Sequence, residues 1–557
     1  MSSRPTRLEA VDLDTAVHPL LPGQLAHHRA LSGTAEQGVS VWMSYQVAGP
    51  LDVAAFVGAV RSTVARHAAL RIGVTTLDGE PVQWVRPMPD DRRLVAMTQV
   101  TANDTEQFSR YVRSVLAADI RRPFDLAVEY PFVLRLLRFT PTLHAVLGVF
   151  SDYAVDATAR MIVVRDLWGA YFGGGTDADP VDADYLAAVT GQAAAADSAR
   201  AQAVSAYWRQ RGPWLPPRCQ FLPGLGGPSS TVAHTELLTL VEDEWKDVRE
   251  RWQAAGFSTV QWLLTLFAAA VFQLTPQDRL VVSMKLNGRR HADQGVVGMF
   301  DVVVPVVLDR PDRFADLLVQ VRRELLSATS RRTVTRQALD DMWATAVRRL
   351  GRPVHDTLSM TYLEDTADLD DADDADGGAI AIERGAYTPT LVRTVDGLRI
   401  AANERPNGLG VRLTVDGETM SQATFTRFVA AFRARLAGDE PASAAPATES
   451  GPALTPLRAP DGAVVLVVDL AEVTSVLDSH PAVASARVSV EVAEDGGSRL
   501  AAEVTTAGAG VTADDLASHV RSHVAGRPFL AVPVRIAVVS DTAAVERSEE
   551  LFMDGVG

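Results

Sequence analysis

The 557-residue chain carries 69 acidic against 53 basic side chains, a net charge of −16. That balance argues against nucleic acid as a partner, because phosphate binding needs a concentrated basic surface. A single core stops growing near about 250–300 residues, so two or three domains are expected. Cys219 is the only cysteine, which excludes an intrachain disulfide and a multi-cysteine metal site.

The N-terminus, MSSRPTRLEAVDLDTA, has no apolar core followed by a cleavage site, so it does not read as a secretion signal. No apolar run reaches the roughly 20 residues that span a bilayer, and a cytoplasmic protein with no membrane partner is expected. His27 and His28 sit in LPGQLAHHRAL, an N-terminal helix pattern, and read as a surface feature. Residues 51–70 have apolar side chains at helical spacing. They lead into a strand-like RIGVTTLDGEPVQWVRP with a turn at Asp78-Gly79. Residues 132–152 read as two strands joined at Thr140-Pro141-Thr142, and 158–174 as an amphipathic helix ended by glycines. A first lobe is placed at 1–210, and a Pro/Gly-rich connector, containing Cys219, at 211–230.

A second lobe at 231–437 repeats the mixture. HTELLTLV reads as a strand, two helices follow with Ser258-Thr259 as an N-cap signal, and RLVVSMKL and DVVVPVVLD read as strands. The acidic stretch 364–378 reads as a surface loop, because its acids lack the Gly and closing Glu of a calcium loop; no metal is expected. A low-complexity linker at 438–460 precedes a small α+β unit at 461–557.

The wording of these segments resembles the condensation-domain superfamily of nonribosomal peptide synthetases. ARHAAL with LRIGVTTLDGEPVQWV, AVSAYWRQR, and NGRRHADQGVVGMFDVVVPVVL match that family's signatures in order over about 10–437. The resemblance implies an α/β fold of two chloramphenicol-acetyltransferase-like lobes in a V-shaped pseudo-dimer, with a tunnel between them. It also implies a carrier-protein partner whose phosphopantetheine arm enters that tunnel, with no cofactor of the protein's own. The family's HHxxxDGxS segment aligns with SDYAVDATA. Ser151 and Asp152 stand at the two His, Asp156 at the Asp, Ala157 at the Gly and Ala159 at the Ser. The heterocyclising variant DxxxxDxxS does not fit, since the two aspartates are four apart. Arg289 of NGRR is the family's partner for Asp156, and that ion pair reads as architectural.

With the histidine replaced, Asp152 reads either as a carboxylate that orients an ammonium acceptor or as a remnant kept for folding. An ordinary carboxylate, near pKa 3.9, is a weaker base than imidazole. Cys219 offers another route as a thiolate nucleophile if a base lowers its pKa, with His234, His291 and His355 as candidates. A lone cysteine is also commonly incidental. In SRRTVTRQALDDMWATAVRRLGR, Arg331, Arg332, Arg336, Arg348 and Arg349 suit an acidic carrier protein and its phosphate, or form a solvated helix face.

The tail resembles the C-terminal subdomain of adenylation domains through DLAEVTSVLDSHPAVASARVSV and RPFLAVPVRIAVVSD. The chain has lysine only at 246 and 285, so the lysine that adenylation needs is absent and a docking or stabilising role is expected. The resemblance implies a free-standing enzyme that joins a carrier-bound acyl or aminoacyl thioester to an amine. The degenerate motif is similar to the lincosamide-assembly group, where the acceptor is an amino sugar. The alternatives are an inactive recruitment module and an ester-forming acyltransferase.

Overall fold

A computed structural model describes residues 16–32, 40–173, 182–221, 233–354, 358–364, 380–385, 387, 397–405, 408–417, 419–436, 453–507 and 510–540. His355, the acidic stretch from 365 to 378, residues 222–230 of the connector and residues 438–452 of the linker lie outside the described residues. The chain divides into two compact units. The first comprises Met1–Ala199, Asn287–Val302 and Leu363–Leu391; the second comprises Arg200–Leu286, Val303–Tyr362 and Val392–Gly557. Two short segments from the middle of the chain thus return to the first unit, and the tail packs as part of the second.

The first unit is built on a five-stranded mixed sheet. The strands Phe132–Thr140 and Leu143–Ser151 form its central hairpin, and Ser40–Ala48 pairs antiparallel with Leu143–Ser151. Ala381–Arg384 closes one edge against Ser40–Ala48. Leu143–Ser151 is buried along almost its whole length, as a strand covered on both faces must be. Helices Val53–Arg66 and Ala157–Phe172 pack on this sheet. Their contact is filled by Phe56, Val60, Val64, Leu167 and Trp168. Asp52 caps the first helix through the amides of Ala54 and Ala55. A second, three-stranded sheet contains the hairpin Ile72–Leu77 and Glu80–Val85. Its two-residue turn needs positive φ at both positions, which Asp78 (51°) and Gly79 (86°) supply.

The second unit has a six-stranded mixed sheet, with Leu358–Glu364 running parallel to Arg279–Asn287 and the pair Leu398–Arg405 and Gly408–Val415 antiparallel. The helix Thr259–Phe272 is apolar on nearly every side and, accordingly, buried on nearly every side. Ser258 and Gln261 form a capping box at its start. No single helix among the described residues is long and apolar enough to cross a membrane.

The tail has its own core of Val465, Leu466, Val468, Val473, Leu477, Leu500, Val504, Leu516 and Ile536, but Leu350 belongs to the same cluster. Among the described residues its strand Val464–Asp469 pairs with Leu454–Arg458 on one side only. Several of its other backbone groups are met by side chains of the same unit, while the Val464 carbonyl and the Asp469 amide bond the backbone of Asp278 and Phe529. Asp278 accepts from the amide of Val464, Gln277 donates to the carbonyl of Val465, and Gln220 bonds both the amide and the carbonyl of Val467. The first half of the expected connector is therefore buried structure: Leu215, Cys219, Gln220 and Phe221 are all inside.

Candidate functional site

The central hairpin ends at Ser151, and the chain turns there before the helix Ala157–Phe172. The amides of Ala154 and Val155 both donate to the Ser151 carbonyl (2.9 and 3.1 Å), and the Tyr153 amide donates to its hydroxyl (3.3 Å). Ser151 thus holds the turn by its own hydrogen bonds. Asp152 follows it and is 4% exposed. Asp156 then caps the helix, accepting from the Ala159 amide at 2.7 Å.

The Asp156 carboxylate is also the centre of a buried ion pair. Arg289 donates from Nη1 to Oδ2 (2.7 Å) and from Nη2 to Oδ1 (3.0 Å), and neither side chain is exposed. This fork-on-fork geometry is the strong form of the interaction. The Phe300 amide adds a fourth donor at 2.8 Å, and the Phe300 ring lies 4.5 Å from the guanidinium. The remaining guanidinium hydrogens go to the carbonyls of Val296 and Gly298 and to the side-chain oxygen of Asn287. Asp156 therefore binds the motif loop to segment 287–302. The helix Pro22–Ser32 approaches the same segment so closely that a Cβ on Gly23 would sit 2.6 Å from the Asp301 carbonyl oxygen.

That helix brings two side chains whose sequence context suggested a surface role. His27 and His28 are half-buried against Tyr153. The His27 ring meets the Tyr153 ring edge-on, with centroids 5.0 Å apart, and His28 Nδ1 is 2.8 Å from Tyr153 Oη. Gln24, one turn earlier, donates to the Tyr153 carbonyl at 2.6 Å. A helix face reading Gln24, His27, His28 at i, i+3, i+4 was the available signal, but it names no partner until the loop is placed beside it.

The other expected site residues lie elsewhere. His291 is exposed, in a single helical turn of the first unit. His234 stacks on Phe425 in the second. Cys219 is 6% exposed, and burial pushes its thiol up to about 12 from an ordinary value of 9, outweighing the opposing hydrogen bond with Thr275 and the nearby Arg218 and Arg310. That setting opposes formation of the thiolate, because nucleophilic cysteines sit in accessible, electropositive surroundings that lower the pKa. The folded protein should accordingly resist alkylation by iodoacetamide at mildly alkaline pH, and mass spectrometry should show labelling only after denaturant is added. Fast labelling of the native protein would refute this placement.

The arginine-rich segment is largely engaged within its own unit. Arg331 lies 4.0 Å over the Tyr207 ring and bonds Ser327; Arg332 donates to the Thr329 carbonyl; Arg348 bonds Thr345. Arg349 pairs with Asp495 of the tail and lies over Trp214. Arg336 begins the helix Arg336–Leu350. Among the described residues no group of three His, Cys, Asp or Glu side chains is placed to hold a metal ion.

A strand–turn–helix loop locked by an Asp–Arg pair, in a chain of two α/β units with mixed sheets, points to the class: the chain belongs to the condensation-domain family, whose model matches residues 17–362. Members of this family in peptide synthetases form amide bonds between carrier-bound substrates. Phosphinothricin tripeptide synthetase PhsB of Streptomyces viridochromogenes is 27% identical over 403 residues, covering 70% of this chain and 33% of the synthetase. The chain thus spans about a third of that relative. Among solved structures, the starter condensation domain of rhizomide synthetase, in complex with C8-CoA and Leu-SNAC, superimposes with a TM-score of 0.60 at 18% identity (76% of this chain, 95% of that one). The X-domain of teicoplanin biosynthesis, in complex with OxyB, gives 0.58 at 19% identity (80% and 98%). At these identities the structural matches speak for the fold: α/β, of the chloramphenicol-acetyltransferase-like kind found in condensation domains.

Proposed function

We propose that this protein joins a carrier-bound acyl or aminoacyl thioester to an amine acceptor, with an amino sugar of the lincosamide type as one candidate acceptor. The observation that carries this reading is the intact Asp156–Arg289–Phe300 lock, which holds the motif loop in a defined turn although Ser151 and Asp152 replace the family's histidines. A loop kept this rigid suits catalysis by positioning. Asp152 is assigned the acceptor's ammonium group: a buried carboxylate gains most from a cation that supplies both charge and hydrogen bonds. Arg331 and Arg332 are assigned to the carrier protein's acidic face, while Arg349 serves the tail.

A second reading is a recruitment module without catalysis, favoured by the likeness to an X-domain that is in complex with another protein. The two readings part in one experiment. A carrier protein loaded with a panel of aminoacyl groups is incubated with the protein and with amines including glucosamine, and released amides are followed by mass spectrometry. Turnover by wild type, a loss on the order of 10²-fold in Asp152→Asn, and full turnover in Cys219→Ala are expected. Binding of loaded carrier without any product supports recruitment instead.

A further inference from the structure

We infer that His28 and Tyr153 form the proton-transfer pair of this site, with the imidazole delivered from the N-terminal helix rather than from the motif loop. The inference rests on the amide-forming reading above and adds to it the group that takes the acceptor's proton.

The geometry begins with Gln24. It is fully buried; its Oε1 accepts from the Leu21 amide at 2.7 Å, and its Nε2 lies within 3.2 Å of Gln83 Oε1 and Tyr185 Oη as well as donating to the Tyr153 carbonyl. Tyr185 in turn donates to Gln83 (2.7 Å), and Gln83 donates to the Pro19 carbonyl (2.8 Å). This buried polar network fixes the helix Pro22–Ser32 against the loop, since each member left unmatched would cost a desolvation penalty. One turn on from Gln24, His28 is set against the Tyr153 hydroxyl, and His27 makes an edge-on contact with the Tyr153 ring. Tyr153 follows Asp152 directly in the chain, and the inference places the acceptor nitrogen between the Asp152 carboxylate and the Tyr153 hydroxyl.

The division of labour follows from ordinary acidity. Burial pushes the Tyr153 phenol up to about 12, so it stays protonated near neutral pH and can only pass a proton along. An imidazole ordinarily titrates near 6.5 and is the competent terminal base. The ammonium held by Asp152 first releases one proton to solvent, since a nitrogen without a lone pair cannot attack. The free amine then attacks the thioester carbonyl carbon, the carbonyl π pair moves onto oxygen, a C–N bond forms and the nitrogen loses its second proton to Tyr153 Oη. The phenolic proton passes to His28 Nδ1. When the tetrahedral intermediate collapses, the C–S bond breaks, and the imidazolium returns the proton through the phenol to the departing thiolate, leaving free pantetheine thiol.

The test uses the full chain with the same loaded carrier panel and amines. His28→Asn retains a hydrogen-bonding group near Nδ1 but cannot take up a proton, and His28→Ala leaves room for added imidazole. Tyr153→Phe removes the relay while keeping the ring that His27 packs against. With thermal melts matching wild type, kcat is expected to fall on the order of 10²-fold or more in all three, with little change in the carrier's KM. Free imidazole should restore part of the rate to His28→Ala. Near-normal turnover in His28→Asn, or a loss in His28→Ala that imidazole does not relieve, overturns the inference and leaves a purely structural clamp, while amide formation by wild type still stands. Absence of product from wild type itself removes the amide-forming reading and the pair with it.

Discussion

Replacing Arg289 with methionine is expected to destabilise the protein by about 3–5 kcal/mol, the range found when one partner of a buried ion pair is removed. The size follows from the surroundings. Both side chains are fully buried, and the Asp156 carboxylate would retain only the amides of Ala159 and Phe300 as donors for a charge that four donors now share. The carbonyls of Val296 and Gly298 would lose their guanidinium donors at the same time. Total stabilities are about 5–15 kcal/mol, so a loss of this size consumes much of the margin. Asp156→Asn should cost less, because the amide keeps the helix cap in part, yet it strands the arginine's charge. The double variant should be less destabilised than the sum of the two. Urea denaturation of the four proteins gives the coupling energy directly. Strict additivity, or a cost below about 1 kcal/mol for Arg289→Met, would mean the pair does not hold the loop.

That pair also shows how far the residues alone could lead. Asp156 and Arg289 are 133 positions apart, and periodicity could not have joined them; the family's motif did. Local features were more directly readable. The Asp78-Gly79 turn, the hairpin over 132–151 and the Ser258 cap each depend on a few neighbouring residues with distinct φ/ψ or capping preferences. What was illegible is long-range pairing. Nothing in Ala381–Arg384 says that it will lie beside Ser40–Ala48, and nothing in the Pro/Gly-rich 212–221 announces burial, because its polar groups are satisfied by distant side chains. His27 and His28 are illegible for the same reason: on their own helix they look solvated, and only the folded chain shows that they pack against Tyr153.

The second large effect is expected at Gln220. Substitution by leucine, similar in size but unable to hydrogen-bond, should loosen the tail and cost about 2–5 kcal/mol. The Gln220 side chain acts on Val467 as a neighbouring strand would, accepting from its amide and donating to its carbonyl, each at 2.8 Å, and it also donates to the Pro528 carbonyl at 2.8 Å. The residue is 1% exposed, so no water replaces these bonds without opening the packing. Each buried polar group left unmatched costs about 1–3 kcal/mol, and the strand Val464–Asp469 would be left with part of one edge unpaired, a feature that invites association. The Gln277 side chain performs a parallel service for the Val465 carbonyl and the Arg218 carbonyl, so Gln277→Leu should reinforce the first change rather than add independently to it. Limited proteolysis should then release a fragment containing residues 454–540 from Gln220→Leu while wild type stays whole, and calorimetry should resolve an early transition for the tail. A single transition at the wild-type temperature, with unchanged protease resistance, would show that the tail is held by its apolar contacts around Leu350 instead.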